Sequence, residues 1–176
     1  PGAGQPCDVT LFEADGRIGG HANTVEAPGT RGPVPVDTGF IVFNEANYPN
    51  FTALLEHLGV ASIPADMALS VSLDDGAFEY SSNAIFAQKR NLFRARFWRM
   101  LRDITHFYRT GPQDLPGLEA PLTSLDDYIA RKGYGKAFRD DHLIPQAAAI
   151  WSTPLADIRA YPAASLIRFF QNHGMM

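Results

Sequence analysis

Apolar residues recur with helical spacing in several parts of the chain. Four of them between positions 51 and 58 fall at i, i+3, i+4 and i+7, and Gly59 follows as a candidate C-terminal cap. A longer apolar stripe predicts a helix over residues 91–108, which Gly111 and Pro112 are expected to end. Residues 111–121 are then expected to form a loop. Three further helical stretches, the second interrupted by Pro145, are predicted over residues 124–133, 136–150 and 163–172.

Shorter segments carry the pattern of β-strands. Residues 69–73 and 78–80 alternate between apolar and polar around an Asp-Asp-Gly turn, which predicts a β-hairpin. Residues 9–13 (VTLFE) form a nearly continuous apolar run, which is typical of a strand in a parallel sheet covered on both faces. Two more extended pieces are predicted over residues 23–27 and 34–36.

The order of these elements predicts an α/β fold with two parts. Strands dominate the first third of the chain, and a hairpin followed by helices makes up the rest. The composition shifts near Pro64, which predicts a domain over residues 1–63 and a second region over residues 64–176.

Composition narrows the function classes. The 176 residues are 45% hydrophobic and include one cysteine, so the chain is neither disordered nor held together by disulfides. No apolar run approaches the roughly 20 residues that a helix needs to cross a bilayer. The formal net charge of −4 makes the chain a poor general binder of nucleic acid.

The first candidate site lies at the end of residues 9–13. Glu13 ends that run, and Gly19 and Gly20 follow in a predicted turn. A carboxylate in this position can accept hydrogen bonds from both hydroxyls of a ribose, and glycines let the backbone approach a ligand closely. The same spacing is also common in turns with a purely structural role, so the residues alone leave both interpretations open.

A family resemblance favours the interpretation in which these residues bind a ligand. Residues 9–24 (VTLFEADGRIGGHANT) resemble the second-strand region of flavin-containing amine oxidoreductases and their desaturase relatives, and residues 36–40 (VDTGF) resemble the segment that runs past the flavin ring. Other short segments resemble one subgroup, the predicted NAD/FAD-binding proteins of bacteria and the flavoprotein-like N-terminal region of plant cyclopropane fatty acid synthases. These segments are residues 43–44, 48–50, 58–60, 70–74, 86–89 and 150–152.

The resemblance implies an FAD cofactor bound by a partial Rossmann-like domain over residues 1–63, with a hairpin and helical substrate-side region after it. Glu13 would hold the adenosine ribose, and Arg17 would lie along the dinucleotide. His21 stands where many amine oxidases have arginine. The implied cofactor-binding residues are Glu13, Ala14, Arg17, Gly19, Gly20, His21, Gly39 and Phe40, and the implied substrate-side residues are Asn44, Tyr48, Trp151 and Ser152.

This sequence departs from the superfamily at both ends. Relatives begin with a strand and a Gly-x-Gly-x-x-Gly turn whose backbone N–H groups hold the pyrophosphate, and residues 1–7 do not supply that unit. Relatives also continue beyond this length. The sequence is therefore expected to be the middle of a longer flavoprotein, and the chain alone is expected to bind FAD weakly or not at all.

A basic stretch is the second candidate. Seven of the 15 basic residues lie between positions 89 and 109, and Asp103 is the only acid there. One interpretation is a solvated face around a core-facing stripe. The other is a peripheral contact with an anionic membrane surface or an anionic substrate.

The remaining candidates are weaker. The five histidines lack the spacing of a metal site, so no metal is predicted. Residues 140–142 (DDH) fit either a base with an orienting acid or the polar face of a helix. Trp151 and Ser152 fit either a substrate pocket or an aromatic that closes a helix against the core. Cys7 is expected to have no role, and no catalytic residue is assigned.

Together these observations predict FAD-dependent oxidation of a small or lipid-like substrate in the cytoplasm. One alternative is a non-catalytic flavoprotein-like module that assists a lipid-modifying partner. The other is a domain that binds membrane surfaces. The sequence specifies neither the substrate, nor the electron acceptor, nor the oligomeric state.

Overall fold

The computed structural model describes residues 8–40, 42–118 and 122–176. Its backbone divides into two compact units, residues 1–61 and 62–176. Helices and two small antiparallel sheets make the chain a mixed α/β protein, which confirms the predicted class at that level. The functional division into residues 1–63 and 64–176 stays a prediction, as does the assignment of a role to each part.

The described residues of the first unit form one hairpin and one helix. Strands β1 (Thr24–Ala27) and β2 (Val34–Asp37) pair antiparallel, with Thr24 opposite Asp37. Helix α1 (Pro49–Leu58) begins with a proline in its first turn and ends at Gly59, which has φ +66°. A left-handed residue at this position lets the last carbonyl groups of the helix find donors, and glycine adopts it without strain. The predicted extended pieces and this helix are confirmed.

The predicted strand over residues 9–13 is wrong. The backbone there forms no strand, and no strand in the described part of the chain lies beside it. Val9 and Phe12 are 84% and 90% exposed. A parallel strand is stable only when neighbours accept its N–H and C=O bonds and cover its faces, so the apolar pattern alone cannot form one.

The second unit opens with the predicted hairpin. Strands β3 (Ser70–Leu73) and β4 (Phe78–Ser81) pair antiparallel around a turn in which Asp74, Asp75 and Gly76 all have positive φ. One face of this hairpin packs on the next helix, where Phe97 and Met100 are fully buried.

The long basic helix is shifted along the sequence from its predicted position. A 3₁₀ turn (Lys89–Phe93) precedes helix α2, which covers Ala95–Asp114. The predicted end at Gly111 and Pro112 is wrong, because the helix continues through both. Gly111 is buried inside the helix, where a Cβ would lie 3.3 Å from Met176 Cε at the end of a flexible side chain.

The helices predicted over residues 124–133, 136–150 and 163–172 are confirmed, whereas α6 (Leu155–Ile158) was not predicted and a 3₁₀ turn lies within the predicted loop. Ser124 caps α3 by accepting a hydrogen bond from the Asp127 N–H at 3.1 Å, as its sequence pattern predicts. Pro145 lies in the first turn of α5, directly after a π turn, so the predicted interruption is also confirmed. The elements are a 3₁₀ turn (Leu115–Gly117), α3 (Leu125–Lys132), α4 (Lys136–Phe138), the π turn (Arg139–Leu143), α5 (Ile144–Trp151), α6 (Leu155–Ile158) and α7 (Ala163–Asn172).

A core of buried apolar side chains holds the second unit together. Phe107 lies near its centre and contacts the rings of Tyr128, Phe138 and Phe170. Among the described residues, no helix is both long enough and apolar enough to cross a bilayer. The predictions for Cys7 and for residues 119–121 of the loop lie outside the described residues.

Candidate functional site

The first hairpin brings together the two segments that were assigned to the flavin. Beyond the end of the β1–β2 ladder, the Thr38 N–H donates to the Asn23 carbonyl at 2.8 Å, and the Phe40 N–H donates to the His21 carbonyl at 3.1 Å. The segment that contains Glu13, Arg17 and the glycine pair therefore runs into a backbone contact with residues 38–40.

Gly39 lies at the closest point of this contact. A Cβ built there would lie 1.7 Å from the carbonyl oxygen of His21, and the neighbouring atoms are all backbone. Backbone cannot move aside as the tip of a flexible side chain can. Glycine is therefore required at this position for the two segments to approach each other.

Arg17 organises the turn that carries the glycine pair. Its guanidinium donates to the Gly20 carbonyl at 2.6 Å and to the Ala22 carbonyl at 3.2 Å. Gly19 and Gly20 have φ values of +118° and +55°, which suit residues without a Cβ. Arg17 thus holds the loop closed through its own backbone. The predicted role of Arg17 along a dinucleotide stays a prediction.

One carboxylate oxygen of Glu13 accepts hydrogen bonds from the backbone, and the other accepts none from the described residues. Its Oε1 accepts the N–H groups of Ala14 and Asp15 at 2.8 and 2.9 Å. No residue in the described part of the chain donates to Oε2. A carboxylate fixed by two backbone donors, with one free oxygen in solvent, has the chemistry of a ribose acceptor.

Two of the four predicted substrate-side residues lie in the same unit. The ring of Tyr48 lies 6.3 Å from that of Phe40, and Phe51 lies 5.4 Å from Phe40 on another side. Asn44 accepts the Asn47 N–H through Oδ1 at 2.8 Å. Its Nδ2 is buried and meets no acceptor among the described residues. An amide donor without a partner beside an aromatic cluster can donate to a bound group.

The other two, Trp151 and Ser152, belong to the second unit. The Trp151 ring lies 4.8 Å from that of Tyr161 and 5.0 Å from that of Phe169. Ser152 ends α5 in a left-handed conformation with φ +48°. These contacts match the interpretation in which the aromatic closes a helix against the core. Their substrate role stays a prediction.

Sequence reasoning missed a buried polar cluster in the second unit. The Tyr80 hydroxyl donates to the Asp141 carbonyl at 2.7 Å and lies 3.0 Å from Nδ1 of His142. Because the only hydroxyl proton points to that carbonyl, Nδ1 must be the donor to Tyr80. The Nε2 lone pair of His142 then remains buried without a partner among the described residues.

Burial sets the protonation states of this cluster. It lowers the pKa of His142 to about 4, so the imidazole is neutral at physiological pH. Burial and the neighbouring Asp141 raise the pKa of Tyr80, and burial raises that of Tyr108, whose hydroxyl donates to Gln146 Oε1 at 3.2 Å. Each group is therefore held in its uncharged form.

The interpretation of residues 140–142 as an exposed polar helix face is wrong for two of the three. Asp141 and His142 are buried, because the π turn rotates them inward. The Asp141 carboxylate forms a two-pronged ion pair with Arg96, whose Nε donates at 2.6 Å. A polar triplet inside an otherwise apolar stretch was the available signal, since a buried carboxylate needs a cation.

The described residues contain no group of three histidine, cysteine, aspartate or glutamate side chains that could hold a metal ion. The prediction that the protein uses no metal stays untested.

A family model described as flavin containing amine oxidoreductase matches residues 2–166. Among curated proteins, none matches this chain.

Proposed function

This chain belongs to the flavin-containing amine oxidoreductase family, and we propose that it functions in the FAD-dependent oxidation of a small or lipid-like substrate. Membership of this family implies a flavin cofactor and oxidoreductase chemistry. The proposal adds three points: FAD as the flavin, a partial Rossmann-like domain over residues 1–63, and kinship with the bacterial NAD/FAD-binding proteins and plant cyclopropane fatty acid synthases.

The observation that supports this proposal most is the contact between His21 and Phe40. The hydrogen bond between their backbones places the loop after Glu13 beside residues 38–40, and Gly39 allows that approach. A flavin dinucleotide is long, and a protein that binds it needs residues for its adenosine half and its ring half in one structure. The hairpin connects the residues proposed for each half.

The bound FAD supplies the redox chemistry, and the chain supplies binding and orientation. Glu13 accepts the ribose hydroxyls through its free Oε2, with Oε1 fixed by two N–H groups. Gly20 has open space where a Cβ would be, so its backbone can approach the dinucleotide. Phe40 and Tyr48 exclude water on the ring side, and Asn44 Nδ2 donates to the bound group.

Separate titrations of the two halves of FAD test these assignments. The protein expressed from its complete coding sequence is titrated with FAD, ADP and FMN, and binding is followed by calorimetry. Glu13→Gln is expected to weaken FAD and ADP about tenfold, since hydrogen bonds to a charged group are the stronger kind. FMN affinity is expected to stay unchanged. Glu56→Gln, an exposed glutamate of α1, is the matched control.

Equal affinity of the wild-type and Glu13→Gln proteins for ADP would contradict the ribose assignment. A substrate screen then separates an enzyme from a helper module. Bleaching of the flavin absorption band by an amine or a lipid supports oxidation, and a flavin band that no substrate bleaches favours the non-catalytic alternative.

A further inference from the structure

An exposed aromatic and basic cluster lies at the start of helix α2. Its apolar members are Phe86, Leu92, Phe93 and Trp98, all of them exposed. Phe93 is 91% exposed, which is unusual for a phenylalanine beside an ordered core. We call these four residues together with Lys89, Arg90 and Arg99 the α2 entry patch.

The apolar part of the patch is a fixed platform. The Trp98 indole donates from Nε1 to the Leu92 carbonyl at 2.8 Å, which fastens the ring to the 3₁₀ turn. The Phe86 ring lies 6.0 Å from the Trp98 ring, and Phe97 packs behind both in the core. The Trp98 and Phe86 rings are therefore presented without a large loss of side-chain freedom on binding.

The cations of the patch form no ion pair within the described residues, although Arg90 and Arg99 donate to the backbone carbonyls of Gly76 and Ala95. Among the described residues, no carboxylate lies within ion-pair distance of Lys89, Arg90 or Arg99. Further along the same helix the situation differs, because Arg96 pairs with Asp141 and Arg102 pairs with Asp103. The first turn of α2 contains no acidic residue, so the positive end of the helix dipole adds to the local potential.

We infer that the α2 entry patch docks the protein on an anionic phospholipid surface. Tryptophan and phenylalanine favour the boundary between headgroups and acyl chains, and lysine and arginine around them favour anionic lipids. Both chemistries occur in one patch, and cations that no described carboxylate neutralises match the charge of that surface. The contact is confined to the start of the helix and does not extend along all of residues 89–109. It would hold the protein where a lipid-like substrate is found.

Vesicle sedimentation tests the inference with the whole protein. We expect binding to phosphatidylcholine–phosphatidylserine vesicles, weak binding to phosphatidylcholine alone, and release at high salt. Each basic residue near an anionic surface is worth about fivefold in partitioning, so Lys89→Gln with Arg99→Gln is expected to weaken binding about 25-fold. Phe93→Ser is expected to weaken it about tenfold, because a buried phenylalanine is lost from the lipid.

Two control variants distinguish binding through the α2 entry patch from nonspecific attraction of the protein to vesicles. Arg109→Gln removes a charge from the other end of α2, and Leu122→Ser removes an exposed apolar side chain elsewhere in the same unit. Both are expected to change binding less than twofold. Phe93 is so exposed that its serine variant keeps the fold, which circular dichroism verifies.

Tryptophan fluorescence gives a second measurement. The chain has two tryptophans, so Trp151→Phe leaves Trp98 alone and Trp98→Phe leaves Trp151 alone. We expect anionic vesicles to shift the Trp98 emission to shorter wavelength and to leave that of Trp151 unchanged. The inference is overturned if the wild-type protein does not bind anionic vesicles or if Phe93→Ser binds them as the wild type does. It is also overturned if Arg109→Gln weakens binding as much as Lys89→Gln with Arg99→Gln. Self-association through Phe93 in place of vesicle binding also overturns it.

Discussion

The hydroxyl of Tyr80 lies 3.0 Å from Nδ1 of His142, although 62 positions of sequence separate the two residues. Their contact joins strand β4 to the π turn inside the second unit. The imidazole is neutral there, because burial lowers the pKa of His142 from 6.5 to about 4. Acid must therefore charge a ring whose Nε2 has no acceptor among the described residues.

The first prediction is that acid destabilises the second unit through His142. A histidine with a lowered pKa in the folded state contributes its full stability above its unfolded pKa of about 6.5, and loses it as the pH falls toward 4. We expect the free energy of unfolding to fall by about 3 kcal/mol over that range from this residue alone. Urea denaturation at a series of pH values measures it.

His142→Gln is the comparison variant for that series, because glutamine keeps a donor for Tyr80 and does not titrate. The free energy of unfolding is measured against pH for both proteins. The difference between the two curves is expected to be the loss of wild-type stability between pH 6.5 and 4. Parallel profiles for the two proteins would show that His142 is not the titrating group.

The second prediction concerns the ion pair between Arg96 and Asp141. The Asp141 side chain is buried, so Arg96→Met leaves a carboxylate without its cation and is expected to cost about 3 kcal/mol of unfolding free energy. Arg99→Met removes an exposed arginine with no ion pair in the described structure and is expected to cost less than about 0.5 kcal/mol. Asp141→Asn in the Arg96→Met background is expected to recover part of the loss. Similar losses for the two arginine variants would refute the assignment.

The third prediction is that Gly39→Ala separates the segments that were assigned to the flavin. A Cβ would lie 1.7 Å from the His21 carbonyl oxygen, so the hydrogen bond from the Phe40 N–H must break. Amide hydrogen exchange at Phe40 is expected to accelerate about tenfold or more. FAD affinity of the complete protein is expected to fall with it.

Gly16→Ala is the control for that substitution, because a Cβ at Gly16 would meet no atom within 4 Å. It is expected to leave the exchange rate at Phe40 unchanged. An unchanged rate in Gly39→Ala would mean that the two segments approach each other less closely than the structure shows.

The fourth prediction concerns the N-terminal cap of α3. Ser124 Oγ accepts the Asp127 N–H and donates to its carboxylate at 2.7 Å. Ser124→Ala is expected to lower the free energy of unfolding by about 1 kcal/mol, because the Asp127 N–H loses its side-chain acceptor. Ser165→Ala, at an exposed position in the first turn of α7, is expected to cost less than about 0.5 kcal/mol. Both are measured by urea denaturation, and equal costs would contradict the capping role.

Short sequence patterns correctly predicted the features that depend on interactions between adjacent residues. The Ser124 cap, the Gly59 helix end and the Asp-Gly hairpin turn were all readable, because each depends on a few adjacent residues. The strand predicted over residues 9–13 is absent, because a strand depends on neighbouring strands that a hydrophobic run does not specify. Helix α2 continues through Gly111 and Pro112, and the buried Gly111 lies close to Met176 and Ile167, so the local preference for ending there did not decide the boundary.

The candidate site was predictable to a different degree in each unit. The segments around Glu13 and Gly39 were found through resemblance, and the hairpin register then explained why they lie together. The sequence left two interpretations of Asp141 and His142 open, and their burial was not predicted, because a π turn departs from the α-helical period on which such predictions rest. Their partners, Arg96 and Tyr80, lie far away in sequence.

In the first unit, no described side chain is buried. Such a segment opens with little cost, and proteases act on the open form. Trypsin-like enzymes should therefore nick at Arg17 and Arg31 long before they reach sites within the second unit. The described residues of the first unit are then expected to be cleaved ahead of the well-packed helices of the second unit.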